Sequence, residues 1–385
     1  MSHKTTKLVH LANFNSTNIG NGALIFGTER ALREDWESDV QFLSEPWDDY
    51  TFGLKSFDAN FVSSINRADG LIVGAAVTFN GREYLSNAGM RFDLPYELWP
   101  TLTKPVVFYG ISYRVWPNQT YHHLDQLKRA MDYILQSPRM MFSVRNDGTK
   151  PWLESLLDYK SDKIEVIPDP ALYVPAADSW HPELMDGRVN LLISLNNEDE
   201  AYRFGTGPDC VVRKENYLKH LVHAIEMLSR DWDLNIILCP HYFDDYRIMS
   251  EFISLFPPRL SHQTIISSGL LKVLRTPYFY DLYAKADVAL SMRIHSLSPA
   301  IGLETTVLAL SSQTRMSEFM SVAGLQEFVV NVFDSDLAQK VHTRVSYLLR
   351  NRDEVRRKLQ AVRSAMRTQT LAYNRKVADF ILQAL

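Results

Sequence analysis

Two Rossmann-like, doubly wound α/β domains are the fold this sequence predicts, and three observations predict it. Short β-branched or aliphatic runs alternate with helical patterns from end to end, the order expected of parallel sheets. The alternation breaks off at a proline-containing stretch near the middle and then starts again. The chain has 385 residues, well beyond the roughly 100–200 of one domain. Hydrophobic residues at 46% and charged residues at 22% exclude a disordered or disulfide-scaffold chain.

The first domain is read as residues 1–175, with strands at Lys7–Leu11, Val40–Leu43, Leu71–Val73, Val106–Ile111, Met141–Val144 and Ile164–Ile167. Between them, Leu124, Leu127, Met131, Ile134 and Leu135 hold one face at helical spacing over His123–Gln136, and Ser137-Pro138 stops the helix. A further helix is predicted over Trp152–Tyr159. The stretch Val174–Arg188 carries two prolines, Pro175 and Pro182, and no periodicity, and is read as the linker. The second domain, residues 176–350, restarts with strands at Val189–Leu195, Leu234–Cys239, Thr264–Ile266, Val288–Ser291 and Thr306–Leu310. Leu218, Leu221, Ile225 and Leu228 mark its first helix, and others are predicted near Tyr246–Phe256, Tyr278–Lys285, Ser298–Gly302 and Met316–Ala323. Residues 351–385 form a basic terminal helix: from Arg350 onward, nine basic residues face three acidic ones over a stripe of Val355, Leu359, Val362 and Met366. Two domains of similar length predict a cleft between them, with chemistry at the carboxyl ends of the strands.

Charge and composition narrow the function. Forty-one basic against 45 acidic residues give a net charge of −4, so no overall positive field recruits nucleic acid. Cys210 and Cys239 are the only cysteines, and no CxxC or Cys/His cluster with metal spacing accompanies them, which fits a reducing cytoplasm and no bound metal. The N-terminal stretch Met1–Lys7 lacks a leader pattern, and the longest apolar run, Leu71–Phe79, falls well short of the ~18 residues needed to span a bilayer. The sequons Asn15-Ser16-Thr17 and Asn118-Gln119-Thr120 are read as chance matches. No GxxxxGK[ST], HExxH or GxSxG occurs, and Gly20-Asn21-Gly22 starts a GxGxxG-like turn that has Ile25 in place of its last glycine.

The most informative segment is Asp287–Gly302. Its hydrophobic strand ends at Met292, and Arg293 and His295 follow where the chain turns into a helix, at the expected crest of the sheet. The helix start there offers free backbone N–H groups to an anion. From position alone, His295 is either a proton carrier or a capping or buried hydrogen-bonded histidine.

Four segments in order resemble the polysaccharide pyruvyltransferase family. They are Asn18-Ile19-Gly20-Asn21-Gly22-Ala23; Ser143-Val144-Arg145-Asn146 with Ile167-Pro168-Asp169-Pro170; Cys239-Pro240-His241-Tyr242-Phe243-Asp244-Asp245; and Arg293-Ile294-His295. The resemblance spans about residues 10 to 330 and rests on order and spacing. The chain departs from the family pattern at Asn21, Ala75, Ala76 and Asn146, and has Arg315 where a lysine is usual.

The resemblance implies a glycosyltransferase-B-like arrangement and transfer of the enolpyruvyl group from phosphoenolpyruvate to a sugar diol of a cell-surface polysaccharide precursor. The product is a cyclic ketal, phosphate is released, and no cofactor is involved. Guanidiniums suit a donor carrying phosphate and carboxylate, so Arg145, Arg293 and Arg315 are the expected donor-binding residues. His295 is the expected acid that protonates the methylene carbon. Asn18, Gly20, Gly22 and His241 are further cleft candidates, with the two glycines read as permitting a tight turn. Tyr113, within the aromatic run Tyr109–Trp116, is a candidate platform for the sugar acceptor, with an interdomain packing cluster as the alternative. The basic terminal helix either approaches an anionic membrane surface that presents a lipid-linked acceptor or docks on the protein. Two other functions share these features: a nucleotide-sugar glycosyltransferase on the same fold, and a catalytically silent sugar-binding protein.

Overall fold

The computed structural model describes residues 5–36, 39–81, 85–117, 119–206, 208–267 and 272–384. Asn118 of the second sequon and the first four residues of the N-terminal stretch lie outside them. The chain forms two compact units. The first comprises Met1–Ser16, Leu24–Tyr173 and Met366–Leu385, and the second Thr17–Ala23 and Val174–Ala365.

The first unit is built on strands β1 (Thr6–Ala12), β2 (Val40–Pro46), β3 (Gly70–Val73), β4 (Val77–Asn80), β5 (Val106–Arg114), β6 (Met140–Arg145) and β7 (Glu165–Ile167). All pair in parallel, in the order β2-β1-β3-β5-β6-β7, with β4 beside β5. This is the second of the two common doubly wound orders. Both faces are covered, so the strands read as continuous apolar runs, but alternate residues enter different cores. Val9, Leu11, Leu71, Val73, Val106 and Phe108 pack with Phe92 and Trp99 on one face. Leu8, Ile72, Val107 and Tyr109 pack on the other with Leu32, Tyr373, Val377 and Ile381. The last three lie on the helix Arg352–Leu382, so the carboxyl-terminal half of that helix is a structural layer of the first unit.

The pattern does not predict β4. It continues β3 along the same neighbour after the three-residue interruption Gly74-Ala75-Ala76. Gly74 is required there, because a Cβ would lie 2.4 Å from the ring nitrogen Nε2 of buried His10.

The second unit carries β8 (Val189–Ser194), β9 (Leu234–Leu238), β10 (Thr264–Ile266), β11 (Val288–Ser291), β12 (Val307–Ser311) and β13 (Val329–Asn331). They run parallel in the order β10-β9-β8-β11-β12-β13. β13, only three residues long, is also absent from the sequence reading. Residues 174–188 hold no helix or strand, yet they are tied down. The Ala177 N–H donates to the Pro277 carbonyl at 3.0 Å, and Asp281 accepts from the Ser179 N–H and lies 2.9 Å from His181 Nε2.

The basic residues of the terminal helix are largely neutralised within the protein. Arg352 pairs with Asp287, Lys358 with Glu327 and Arg363 with Glu304, while Arg367 pairs with Asp35 and Lys376 with Glu165. Among the described residues no helix is long and apolar enough to cross a membrane.

Because Ile381 is fully buried between the terminal helix and the sheet, Ile381→Ala is expected to lower the unfolding free energy by roughly 2–5 kcal/mol. Arg356→Ala, at an exposed position of the same helix, is expected to change it by no more than about 0.5 kcal/mol. Urea unfolding of the two variants checks the difference.

Candidate active site

In the second unit the chain runs outward from β8 to β9 and β10, then returns to the other side of β8 for β11, β12 and β13. The direction reverses between β8 and β11, and such a switch point opens a crevice at the carboxyl ends of the strands. β11 stays in register through the Met292 N–H, which donates to the Ser194 carbonyl at 2.9 Å. Arg293 is still extended, at φ −124° and ψ 131°, and the helix Ile294–Gly302 begins after it.

His295 lies half-buried in the first turn of that helix with non-helical angles, φ −78° and ψ 17°. Pro299 explains the local distortion. It has no N–H to donate to the carbonyl four residues earlier, which is that of His295. The Tyr280 hydroxyl donates to this carbonyl instead.

Residues 17–23 belong to the same unit and bring Gly20 against His295, with Asn18 and Gly22 beside it in the chain. Asn18 Oδ1 accepts the Gly20 N–H at 2.9 Å as the helix Ile19–Asp35 begins. The Ile19 N–H donates to the His241 carbonyl at 3.0 Å. Gly20 and Gly22 are not turn glycines, as the sequence reading has them: both are helical and neither has a positive φ. They are needed for space. A Cβ on Gly20 would sit 2.8 Å from His295 Cβ and Nδ1, and one on Gly22 would sit 1.8 Å from Thr276 Oγ1.

Arg293 is 8% exposed and is held by two carboxylates. Its Nε donates to Asp245 Oδ2 at 3.0 Å and Nη2 to Asp245 Oδ1, while Nη1 donates to Glu198 Oε2 at 2.6 Å. Burial alone would lower its pKa, but the charges of Asp245 and Glu198 outweigh that and raise it. Arg315 stands half-buried at the start of the helix Thr314–Val322, which follows the neighbouring strand β12.

His241 is fully buried, which corrects its reading as a residue open to a ligand: no ring atom reaches the surface. Its Nε2 lies 2.8 Å from the Tyr283 hydroxyl, which accepts from Ser296 Oγ at 2.8 Å and so directs its own proton to the imidazole. Burial, reinforced by the nearby Arg293 and His295, holds the His241 pKa well below its ordinary value, so the ring is neutral.

Two other candidates lie in the first unit. Arg145, at the end of β6, has no exposed side-chain surface. Its Nη1 donates to Asp169 Oδ2 at 3.0 Å, and Asp147 lies 4.0 Å from its Nε. Asn146 Oδ1 accepts the Asp169 N–H at 3.0 Å. The Arg-Asn and Pro-Asp segments therefore meet as a sealed polar network, in which Arg145 has no side-chain surface open to solvent. Tyr113 is not an open platform either. Its ring stacks on Trp152, with centroids 4.4 Å apart and planes 8° from parallel, and is 7% exposed.

Three site residues escape the sequence reading. Asp245 lies within the quoted Pro240–Asp245 segment, and its carboxylate accepts the N–H groups of His241 and Tyr242 at 2.9 and 3.1 Å. Glu198 and Arg203 lie in the loop and short helix after β8. Arg203 is buried, donates from Nε and Nη2 to the Glu198 carbonyl and from Nη1 to Ser312 Oγ, and thereby ties that loop to the end of β12. The signal available was an acidic run, Glu198-Asp199-Glu200, directly after a strand end. Among the described residues no three of His, Cys, Asp and Glu group as metal ligands.

A family model described as polysaccharide pyruvyl transferase matches residues 18–314, from Asn18 at the site through to the helix that carries Arg315. The chain belongs to the polysaccharide pyruvyl transferase family. Membership makes this family member a transferase with a sugar or polysaccharide acceptor. No curated protein matches it in sequence. Among solved structures it is similar to a glycosyltransferase from Rickettsia africae, at 12% identity over 98% of this chain and 99% of that one, with a TM-score of 0.52. It is also similar to a UDP-GlcNAc 2-epimerase from Methanocaldococcus jannaschii, at 14% identity over 90% and 93%, with a TM-score of 0.51. At these identities the similarity establishes the shared two-domain α/β fold.

Two outcomes follow from the packing around His295 and His241. Gly20→Ala is expected to push the imidazole aside and cut turnover, with little change in the far-ultraviolet circular dichroism. For His241, the unfolded chain takes up a proton near the ordinary pKa of 6.5 and the folded chain does not, so stability falls as pH drops through that value. His241→Gln, measured by thermal melts between about pH 7 and about pH 5.5, is expected to lose less stability over that interval than the wild type.

Proposed function

We propose that the chain transfers the three-carbon unit of phosphoenolpyruvate to two hydroxyls of one sugar in a cell-surface polysaccharide precursor, forming a pyruvate ketal and releasing phosphate. Beyond family membership, one arrangement supports the reading: half-buried His295 follows a central strand two residues after the cation of Arg293, with the first turn of a helix against its ring.

In this reading His295 protonates the donor's methylene carbon, leaving C2 as an oxocarbenium-like centre. One sugar hydroxyl adds to C2 and gives up its proton. The bond from C2 to the phosphate oxygen then breaks, with its electron pair leaving on phosphate, and the second hydroxyl closes the ring and gives up its own proton. Arg293 and Arg315 hold the donor's anionic groups, where a planar fork is preferred to a point charge. Arg145 is left out of this reading, because its side chain is fully buried and paired with Asp169. A lipid-linked acceptor would be met at the inner face of the membrane. With Arg352, Lys358, Arg363, Arg367 and Lys376 already in ion pairs, the acceptor is the better attachment there than the terminal helix.

Thermal melts with phosphoenolpyruvate and with a panel of nucleotide sugars test the donor. At a hundredfold excess over Kd the true donor adds about 2.7 kcal/mol to stability. Stabilisation by a nucleotide sugar alone would make the chain a glycosyltransferase. His295→Gln is expected to keep phosphoenolpyruvate affinity and to lower turnover roughly 10²–10⁴-fold. Normal turnover by that variant in single-turnover phosphate release would remove the histidine from the mechanism.

A further inference from the structure

Arg293 has two counter-ions of different kinds. Asp245 is fully buried, engages Nε and Nη2 side-on, and is locked from behind by the N–H groups of His241 and Tyr242. Glu198 is 19% exposed by side chain and meets Arg293 through one hydrogen bond from Nη1. The Glu198 backbone is fixed, since its N–H donates to Asn196 Oδ1 at 2.8 Å and its carbonyl accepts from Arg203 at 3.3 Å. Its partly exposed side chain is what reaches Arg293.

The occupied seat on Nη1 makes this arrangement unsuited to an anionic ligand as it stands. A donor's anionic group that approaches Arg293 there meets the Glu198 carboxylate, and like charges at close range in a low-dielectric site repel strongly. Asp245 cannot leave without stranding a buried cation. We propose that Glu198 is a placeholder: its carboxylate occupies the anion seat on Nη1 of Arg293 in the empty site and swings out when the donor's anionic group takes that position. This rests on the donor reading given above. It makes Glu198 a specificity-determining residue, because an anion held by that seat alone, such as the product phosphate, must compete with the returning carboxylate, whereas a donor with further contacts prevails.

Calorimetric titration of the full chain with inorganic phosphate, then with phosphoenolpyruvate, tests the placeholder. Glu198→Gln keeps the shape and removes the charge, and is expected to bind inorganic phosphate about tenfold more tightly than the wild type. Glu215→Gln removes the same charge from an exposed ion pair with Lys219 and is expected to leave phosphate affinity unchanged. Equal or weaker phosphate binding by Glu198→Gln overturns the placeholder, as does equal tightening by Glu215→Gln. If Glu198→Gln alone tightens phosphate but phosphoenolpyruvate binds no better than phosphate and is not turned over, the placeholder stands and the donor reading fails.

Discussion

A guanidinium cannot be taken out of water without a counter-charge, and that constraint at Arg293 organises the site. Desolvating one ion costs several kcal/mol, which the pairing recovers only when the geometry is good and the remaining hydrogen bonds are made. Asp245 meets both conditions: it takes two N–H groups of Arg293 and two backbone N–H groups of the segment after β9. It is also the first residue of the helix Asp245–Ser254, where a negative charge is favoured by the helix dipole. One buried carboxylate thus fastens the ends of β9 and β11 together, and Glu198 adds the end of β8. His295 inherits its position from this fastening.

The backbone of His295 is governed by a second constraint, and the two meet on one helix. Pro299 leaves the His295 carbonyl without its helical donor, and Tyr280 supplies one. Tyr280 lies on Thr276–Lys285, where Thr276, Tyr280 and Tyr283 follow the i, i+4, i+7 spacing of a single face. Thr276 sits where a side chain on Gly22 would be, Tyr280 holds the His295 carbonyl, and Tyr283 lies between His241 and Ser296. A single face of one helix therefore meets the helix that starts at Ile19, the kink at His295 and the buried ring of His241.

Much of this fold is legible in sequence because both faces of each sheet are buried. Each strand then appears as an unbroken apolar run, and the helix Leu124–Gln136 shows its buried face at helical spacing. What escapes is short or interrupted. β4 is a continuation of β3 past a glycine imposed by His10, and β13 spans three residues, too few for a period to register. The segment 174–188 reads as a linker from its prolines, but the contacts with Pro277 and Asp281 that order it lie about a hundred residues away in the chain. At the site, Arg293 and His295 are visible as residues at a strand end. Glu198, Arg203 and Asp245 are not, since what marks them is the partner each one finds in space.

The two arginines that end strands show the limit most plainly. Arg145 closes β6 in the first unit and Arg293 follows β11 in the second, and each is paired with an aspartate from another strand end. Their sequence settings are alike, yet their availability differs. Arg145 is enclosed, with Asp169 held by Asn146 and Asp147 accepting from Ser112 at 2.7 Å, and its pairing with Asp169 joins β6 to the segment after β7. Arg293 keeps one edge toward a partly exposed glutamate. A buried ion pair with no exchangeable partner is a structural tie; one with a permanent and a displaceable partner keeps a cation ready for an incoming anion without leaving it unpaired in the empty protein. That difference, rather than the presence of arginine at a strand end, is what the anion binding proposed for Arg293 rests on.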